Sequence, residues 1–223
     1  MKREIITTAD GSSTIHIPEW DEQYHSKHGA IQEAQHVFIK TGLHYFIEQY
    51  KTRSVSILEI GFGTGLNALI TALEAEKKSL AIQYTGIEAY PVSLEELQKL
   101  NYTSQFSEAS SQGLFQKIHT VSWENIIEIS SNFTLKKECA FFEDIQKKNS
   151  FNLIYFDAFG ARVQPDLWTV EIFRKMYEAL KPNGILVTYS AKGSVKRAMK
   201  TVGFLVEKLP GPPGKREMLR AQK

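Results

Sequence analysis

Cysteine is almost absent from this sequence, which excludes two kinds of stabilising framework. The 223 residues include one cysteine, Cys139, so the chain can form neither an internal disulfide nor a multi-cysteine zinc site. The histidines at positions 25, 28 and 36 match no zinc-ligand spacing, and we therefore expect no metal. Low cysteine content fits a reducing compartment, so we expect a cytoplasmic protein.

Long apolar runs and a strong net charge are also missing. No apolar stretch approaches the roughly 20 residues that span a bilayer, and the start MKREIITTADGSST lacks the apolar core of a signal peptide. We therefore expect no membrane contact. The net charge is only +2, so a nucleic-acid partner would need a local basic patch. The 42% of hydrophobic residues is enough to form a core.

The most informative stretch of the sequence is VSILEIGFGTGLN, residues 55–67. Its pattern predicts a buried strand, a tight glycine turn and a helix over 66–78. Glycines let a ligand approach the backbone closely, and a helix start presents unpaired N–H groups. The spacing E-x-G-x-G-x-G differs from the G-x-G-x-x-G of dinucleotide sites and is the form found in S-adenosylmethionine (SAM) enzymes. For the motif alone, a glycine turn that binds nothing remains an alternative.

Two further predicted strands also end in an acidic residue. Strand 81–87 is followed by Glu88, and strand 151–156 by Asp157, with Phe159 two residues later. The carboxyl ends of parallel strands lie at one edge of a sheet, where ligands bind. We therefore expect the glycine turn, Glu88 and Asp157 to lie together there. A carboxylate such as Glu88 can accept both hydroxyls of a ribose.

Consecutive strand and helix patterns predict a doubly wound, mostly parallel α/β sheet with a closing antiparallel strand. We expect residues 1–50, a hairpin at 1–17 and a helix at 30–50, to pack on a domain of residues 51–223. We also expect a helix over 91–101 that Pro91 opens, β-like stretches over 116–129 and 133–138, and a last strand near 215–220.

Five stretches occur in an order that resembles the bacterial MnmC-type methyltransferase domain. They are EIGFGTGLN (59–67), DAF (157–159), PDLWT (165–169), TYSAKG (188–193) and GFLVEKLPGPPGKREML near the end. The resemblance implies a Rossmann-like class I SAM-dependent methyltransferase. It would methylate the 5-aminomethyl group of 2-thiouridine at the tRNA wobble position. Two-activity members add an FAD-dependent oxidase, so we expect a stand-alone form without FAD, supplied with aminomethyl tRNA by a separate enzyme.

The resemblance also implies a set of site residues. Expected cofactor contacts are Glu59, Gly61, Phe62, Gly63, Thr64, Gly65, Asn67, Glu88, Cys139 and Asp157. Asp157 would orient the amine and receive its proton, while Phe159 would stack on the flipped-out uracil or form an apolar wall. Expected substrate contacts are Arg162, Trp168, Tyr189, Lys192, Lys215 and Arg216. For the adenine, the backbone near Cys139 and Ala140 and the side chain of Asp144 remain alternatives.

Other functions share parts of this pattern. A methyltransferase of a small-molecule or protein amine would use the same first half, and a spermidine-synthase-like aminopropyl transferase would share the glycine turn and the strand-end aspartate. A non-catalytic SAM- or RNA-binding module is a third alternative. The basic residues between Lys192 and Arg220 are candidates for tRNA phosphates or for a solvated helix face.

Overall fold

A small antiparallel sheet and a helical stretch precede the main sheet in the computed structural model, which describes residues 2–223. Strand β1 (Glu4–Thr7) pairs with β2 (Ser13–Ile17), which pairs with β3 (Glu22–Gln23). Helix α1 (Ala30–Ala34), a π-helical segment (Gln35–His44) and α2 (Tyr45–Tyr50) then follow without a break. The predicted hairpin and helix are confirmed, whereas a domain boundary at residue 50 stays a prediction.

The main sheet has eight strands. They are β4 (Ser54–Ile60), β5 (Ala81–Glu88), β6 (Ile126–Ser130), β7 (Phe133–Cys139), β8 (Phe151–Phe156), β9 (Leu180–Thr188), β10 (Leu205–Pro210) and β11 (Glu217–Gln222). Their spatial order is β10-β11-β9-β8-β4-β5-β7-β6. The five strands from β9 to β7 are parallel, and β6, β11 and β10 run antiparallel to their neighbours. The predicted doubly wound α/β sheet with a closing antiparallel strand is confirmed.

Helices cover both faces of this sheet. The remaining ones are α3 (Leu66–Lys78), α4 (Leu94–Leu97), α5 (Ser111–Thr120), α6 (Val170–Ala179) and α7 (Gly193–Thr201). Two hydrophobic clusters form: one contains residues of α3, α5 and the 30–50 stretch, and the other contains residues of α6 and α7. The neighbouring residues Ile57 and Leu58 of β4 belong to opposite clusters, because successive side chains of a strand point to opposite faces. A strand buried on both faces therefore needs a continuous apolar run.

Two local predictions were wrong. The helix expected over 91–101 is only α4, because Ser93 caps it and forms a reciprocal capping box with Glu96, which starts the helix after Pro91. The stretch 116–129 is not all β, since α5 extends through Thr120 and β6 begins at Ile126. Leu114 and Ile118 are both buried, and their four-residue spacing places them on one face of α5.

The glycine turn after β4 is packed down onto the sheet by Phe62. Its ring lies against the backbone of β5 at Gly86, where any Cβ atom would overlap the ring. The N–H groups of Gly61 and Phe62 both donate to the Ile87 carbonyl, each at 3.0 Å. The shape of the turn therefore depends on Gly86 of the neighbouring strand β5, which has no side chain.

We predict that Gly86→Ala destabilises the protein by about 1–3 kcal/mol, the usual cost of overpacking a core, because the added methyl displaces Phe62. Urea unfolding measures this change. Gly113→Ala is the matched control, since a Cβ there meets no atom within 4 Å. In helix α5 it should raise stability by roughly 0.5–1 kcal/mol. Equal stability of Gly86→Ala and wild type would contradict the packing argument.

Candidate active site

The order of the parallel strands reverses between β4 and β8, and open α/β sheets bind ligands at such a point. The chain moves outward from β4 through β5 to β7, then crosses back to β8 and β9. The turn after β4 therefore meets the end of β8. Gly61 has a φ of 88°, and a Cβ on it would lie 2.8 Å from the Asp157 carbonyl oxygen. Glycine is needed here for both its backbone conformation and this close approach.

A cavity of about 1010 Å³ opens at this edge of the sheet. Its lining includes eleven of the predicted site residues: Gly61, Phe62, Gly63, Asn67, Glu88, Asp157, Phe159, Arg162, Tyr189, Lys192 and Lys215. Six predicted residues are not part of the lining: Glu59, Thr64, Gly65, Cys139, Trp168 and Arg216. The structure thus brings the ends of β4, β5, β8 and β9 to one cavity.

The amide of Asn67 joins two acidic side chains at the floor of this cavity. Its Nδ2 donates to Glu59 Oε1 at 2.8 Å and to Asp157 Oδ2 at 2.9 Å. Glu59 is only 1% exposed, so it acts on the cavity through Asn67 instead of lining it. The same bond holds the Asp157 carboxylate in one orientation.

Both acids are held where ionisation is unfavourable. Burial raises the pKa of Asp157 well above its usual range; the Glu33 carboxylate adds to the rise, and Asn67 and Lys215 oppose it. Burial likewise raises the pKa of Glu59 well above its usual range, against the hydrogen bond from Asn67. A buried carboxylate with a raised pKa accepts a proton more readily than a solvated one.

Glu88, at the end of β5, is engaged with the glycine turn. Its Oε2 accepts the Gly63 N–H at 2.9 Å and its Oε1 accepts the Tyr90 N–H at 3.0 Å. Each carboxylate oxygen has a second lone pair, so both oxygens can still accept a ligand hydroxyl.

Three predicted contacts face other parts of the structure. Thr64 is buried and shares a 3.1 Å hydrogen bond with the Tyr102 hydroxyl. Trp168 lies in the core, and its Nε1 donates to the Phe159 carbonyl at 2.8 Å. The Cys139 N–H donates to Glu124 at 2.8 Å. Trp168 thus supports Phe159 and lies outside the cavity wall.

The two alternatives for the adenine, the backbone near Cys139 and Ala140 and the side chain of Asp144, stay predictions. Neither Ala140 nor Asp144 lines the cavity, whereas Phe141, Phe142 and Glu143 do. Tyr90 also lines the cavity; it is 63% exposed, Phe141 is 50% exposed, and their ring centroids are 5.9 Å apart. The wall beyond Glu88 is therefore aromatic.

Two of the predicted basic contacts are already paired. Lys215 Nζ lies 2.5 Å from Glu33 Oε1 and 3.8 Å from the centre of the Tyr189 ring. Arg162 Nη2 donates to the carbonyls of Trp20 and Asp21, both at 2.8 Å. Lys192 lines the cavity and is exposed.

Sequence reasoning missed the contribution of residues 18–33. Trp20, Tyr24, His25, His28 and Glu33 all line the cavity. Burial lowers the pKa of His25 to about 4, so this histidine is neutral at pH 7. The only sequence signal was the unusual density of aromatic and polar residues in PEWDEQYHSKH, which has no regular period.

A family of S-adenosyl-L-methionine-dependent methyltransferases matches residues 111–223, which are 113 of the 223 residues. The chain belongs to this family. The donor of this methyltransferase family is SAM, as the resemblance in the sequence implied.

Two relatives share the name tRNA 5-methylaminomethyl-2-thiouridine biosynthesis bifunctional protein MnmC. The protein of Hydrogenovibrio crunogenus is 28% identical over 213 residues, which cover 89% of this methyltransferase. The protein of Campylobacter hominis is 32% identical over 186 residues, which cover 78%. The matched regions span only 31% and 26% of those relatives' own lengths.

Solved structures show the same fold. MNMC2 from Aquifex aeolicus superposes with a TM-score of 0.79 at 23% identity, covering 99% of this chain and 69% of that one. A spermidine synthase from Thermotoga maritima has a TM-score of 0.55 at 15% identity, covering 95% and 68%.

Two kinds of feature are absent from the part of the chain that the structure describes. Among residues 2–223, no group of three or more His, Cys, Asp or Glu side chains could hold a metal ion. No helix within the same range is both long and apolar enough to cross a membrane.

We predict that Asp157→Asn and Glu59→Gln each make the protein more stable than wild type at neutral pH. Because folding raises both pKa values above the ordinary 3.8 and 4.5, the folded state binds more protons, and stability falls as the pH rises above those values. The amide in each variant does not titrate, so this loss of stability at higher pH is removed. Urea unfolding between pH 4 and pH 8 gives the slope, with Glu48→Gln at an exposed position as control. Slopes equal to wild type would refute the argument.

Proposed function

We propose that this protein is a SAM-dependent N-methyltransferase that converts the 5-aminomethyl group of 2-thiouridine at the tRNA wobble position to 5-methylaminomethyl. The observation that carries the proposal is the Asp157 carboxylate, held by Asn67 beside the glycine turn. The names of the MnmC relatives supply the substrate. A small-molecule or protein amine has no comparable support.

The residues present fit SAM. Gly61 and Gly63 have φ values of 88° and 49°, so glycine gives this turn a backbone conformation that residues with a Cβ rarely adopt. Glu88 has lone pairs left for ribose hydroxyls. Tyr90 and Phe141 provide aromatic surface for the adenine. The volume of about 1010 Å³ is at the upper end of the range for ligand pockets.

The chain's own residues then orient the amine and manage its proton. When bound, SAM supplies a methyl group on a positively charged sulfur. Asn67 occupies Asp157 Oδ2, which leaves Oδ1 to accept a hydrogen bond from the substrate amine. Asp157 would take one proton from the aminomethyl ammonium, which frees the nitrogen lone pair to accept the methyl that SAM would release from its sulfur. Its raised pKa suits it to that task.

The tRNA phosphates have a candidate partner in helix α7, whose N-cap residue Lys192 lines the cavity. Of its basic residues, Arg197 and Lys200 are exposed and Lys196 is half-buried. Lys215 is a weaker candidate, since its ammonium is already paired with Glu33. Phosphate contacts position a nucleic acid without reading its sequence.

We predict one added methyl per 5-aminomethyl-2-thiouridine when the protein meets labelled SAM and tRNA bearing that nucleoside. Digestion to nucleosides and mass analysis detect it. Asp157→Ala should lower the rate by about 10²–10⁴-fold, the usual contribution of a positioned acid–base group. Glu48→Gln is the surface control. Measurable SAM binding without transfer to any tRNA would direct the search to small-molecule or protein amines.

We further predict that alanine at Lys196, Arg197 and Lys200 together weakens tRNA binding and reduces its salt dependence. Each lost phosphate contact should lower the slope of log K against log salt by about 0.9. Filter binding from 50 to 200 mM salt measures the slope. Lys77→Ala with Lys78→Ala, at the far end of α3, is the matched control. Equal slopes in both variants would exclude α7 from the interface.

A further inference from the structure

The segment 18–28, here called the strap, lines the cavity that also contains Asp157. It connects β2 to the start of α1 and includes the short β3. Its residues Trp20, Glu22, Tyr24, His25 and His28 line the same cavity as Asp157. The strap therefore forms part of the wall that a substrate must meet.

Arg162 holds the strap against the end of β8. Its Nη2 lies 2.8 Å from the Trp20 and Asp21 carbonyl oxygens and 3.2 Å from Glu22 Oε2. These three acceptors all lie at Nη2 of a guanidinium that the resemblance had suggested for the substrate, and the side chain is 56% exposed. Arg162 comes five residues after Asp157, so it joins the strap directly to the catalytic turn.

Two aromatic rings of the strap meet Phe159 edge to face. The Trp20 ring centroid is 5.6 Å from that of Phe159 at 83°, and the Tyr24 centroid is 4.9 Å away at 78°. Tyr24 also covers the glycine turn, since a Cβ on Gly63 would lie 3.0 Å from its ring. The three rings thus form one wall beside the glycine turn and Asp157.

Packing in a hydrophobic cluster does not explain the position of Trp20. Trp168 is buried in a hydrophobic cluster and its N–H has a carbonyl partner. Trp20 is only half-buried and belongs to neither cluster of the described residues. A large ring held at a cavity wall, with carboxylates Glu22 and Asp157 in the same lining, suits a flat ligand that carries a cation.

We propose that Trp20, Tyr24 and Phe159 form a base-recognition subsite for a flipped-out pyrimidine whose cationic aminomethyl arm points to Asp157, with Arg162 as the positioning residue of the strap. The subsite rests on the proposed function, which supplies the pyrimidine. The subsite adds to that function the residues that select a flat ring. It also explains why Arg162 connects the strap to the segment that follows Asp157.

The first test separates base recognition from cofactor binding. Trp20→Leu should raise the KM for aminomethyl tRNA about 10-fold, since stacking of one base contributes about 1–3 kcal/mol. The KM for SAM should change less than about twofold, and Trp20→Phe should recover most of the tRNA affinity because it keeps a ring. Unchanged tRNA KM in a Trp20→Leu protein with wild-type thermal stability overturns the subsite.

The second test concerns Arg162. Arg162→Met should raise the KM for tRNA with little change in the KM for SAM, and it should speed trypsin cleavage after Lys27 of the strap. Arg53→Met is the matched control, because Arg53 also donates to a carbonyl, that of Lys78, at an exposed position. Equal cleavage rates and equal tRNA KM in the two variants contradict a positioning role.

An equilibrium measurement keeps the subsite testable without turnover. With S-adenosylhomocysteine bound, 5-aminomethyluridine should quench tryptophan fluorescence in wild type and in Trp123→Phe, but not in Trp20→Phe. Quenching without methyl transfer retains the subsite and rejects the tRNA reaction. Transfer with unchanged KM in Trp20→Leu retains the reaction and rejects the subsite. Absence of both transfer and quenching rejects both.

Discussion

One side-chain amide connects the three elements on which the site is built. Asn67, in the first turn of α3, donates both hydrogens of its Nδ2, one to Glu59 at the end of β4 and one to Asp157 after β8. The two acids share a donor; Glu59 is buried and Asp157 lines the cavity half-buried, and burial raises the pKa of both, which disfavours their charged forms. This link fixes the orientation of the Asp157 carboxylate relative to the end of β4 and the start of α3.

Most of the fold was predictable because the strands that form its centre are buried on both faces. Such strands must be apolar throughout, and the runs at 55–60, 81–87 and 151–156 stand out in the sequence. The stretch 111–120 was harder, because it contains Gly113 and the β-branched Ile118 and Thr120, which are poor helix formers. The length of helix α4 was overestimated, because the Ser93 cap, and not the apolar pattern, sets where the helix starts.

The candidate site was predictable for those residues that directly follow a parallel strand. The residues Gly61, Glu88 and Asp157 each follow a parallel strand, and the rule for strand ends places them together. Orientation was not predictable: Glu59 and Thr64 are each only 1% exposed, although both belong to the motif at the ligand-binding edge of the sheet. The strap was missed because Tyr24 and Asp157 are separated by 133 residues of sequence and no periodic pattern connects them. Lys215 and Arg162 were predicted as substrate contacts, and their pairing with Glu33 and with the strap could not be seen in the sequence.

The position of β11 has a consequence for the order in which the protein matures during synthesis. This strand, Glu217–Gln222, is inserted between β9 and β10, although both are made before it. Until β11 leaves the ribosome, β9 has an open edge and β10 has no partner in the sheet. Lys215, which reaches the cavity through the preceding loop, arrives at the same late moment. The cavity wall is therefore completed only after nearly the whole described chain has been translated, which delays exposure of a finished site to its ligands.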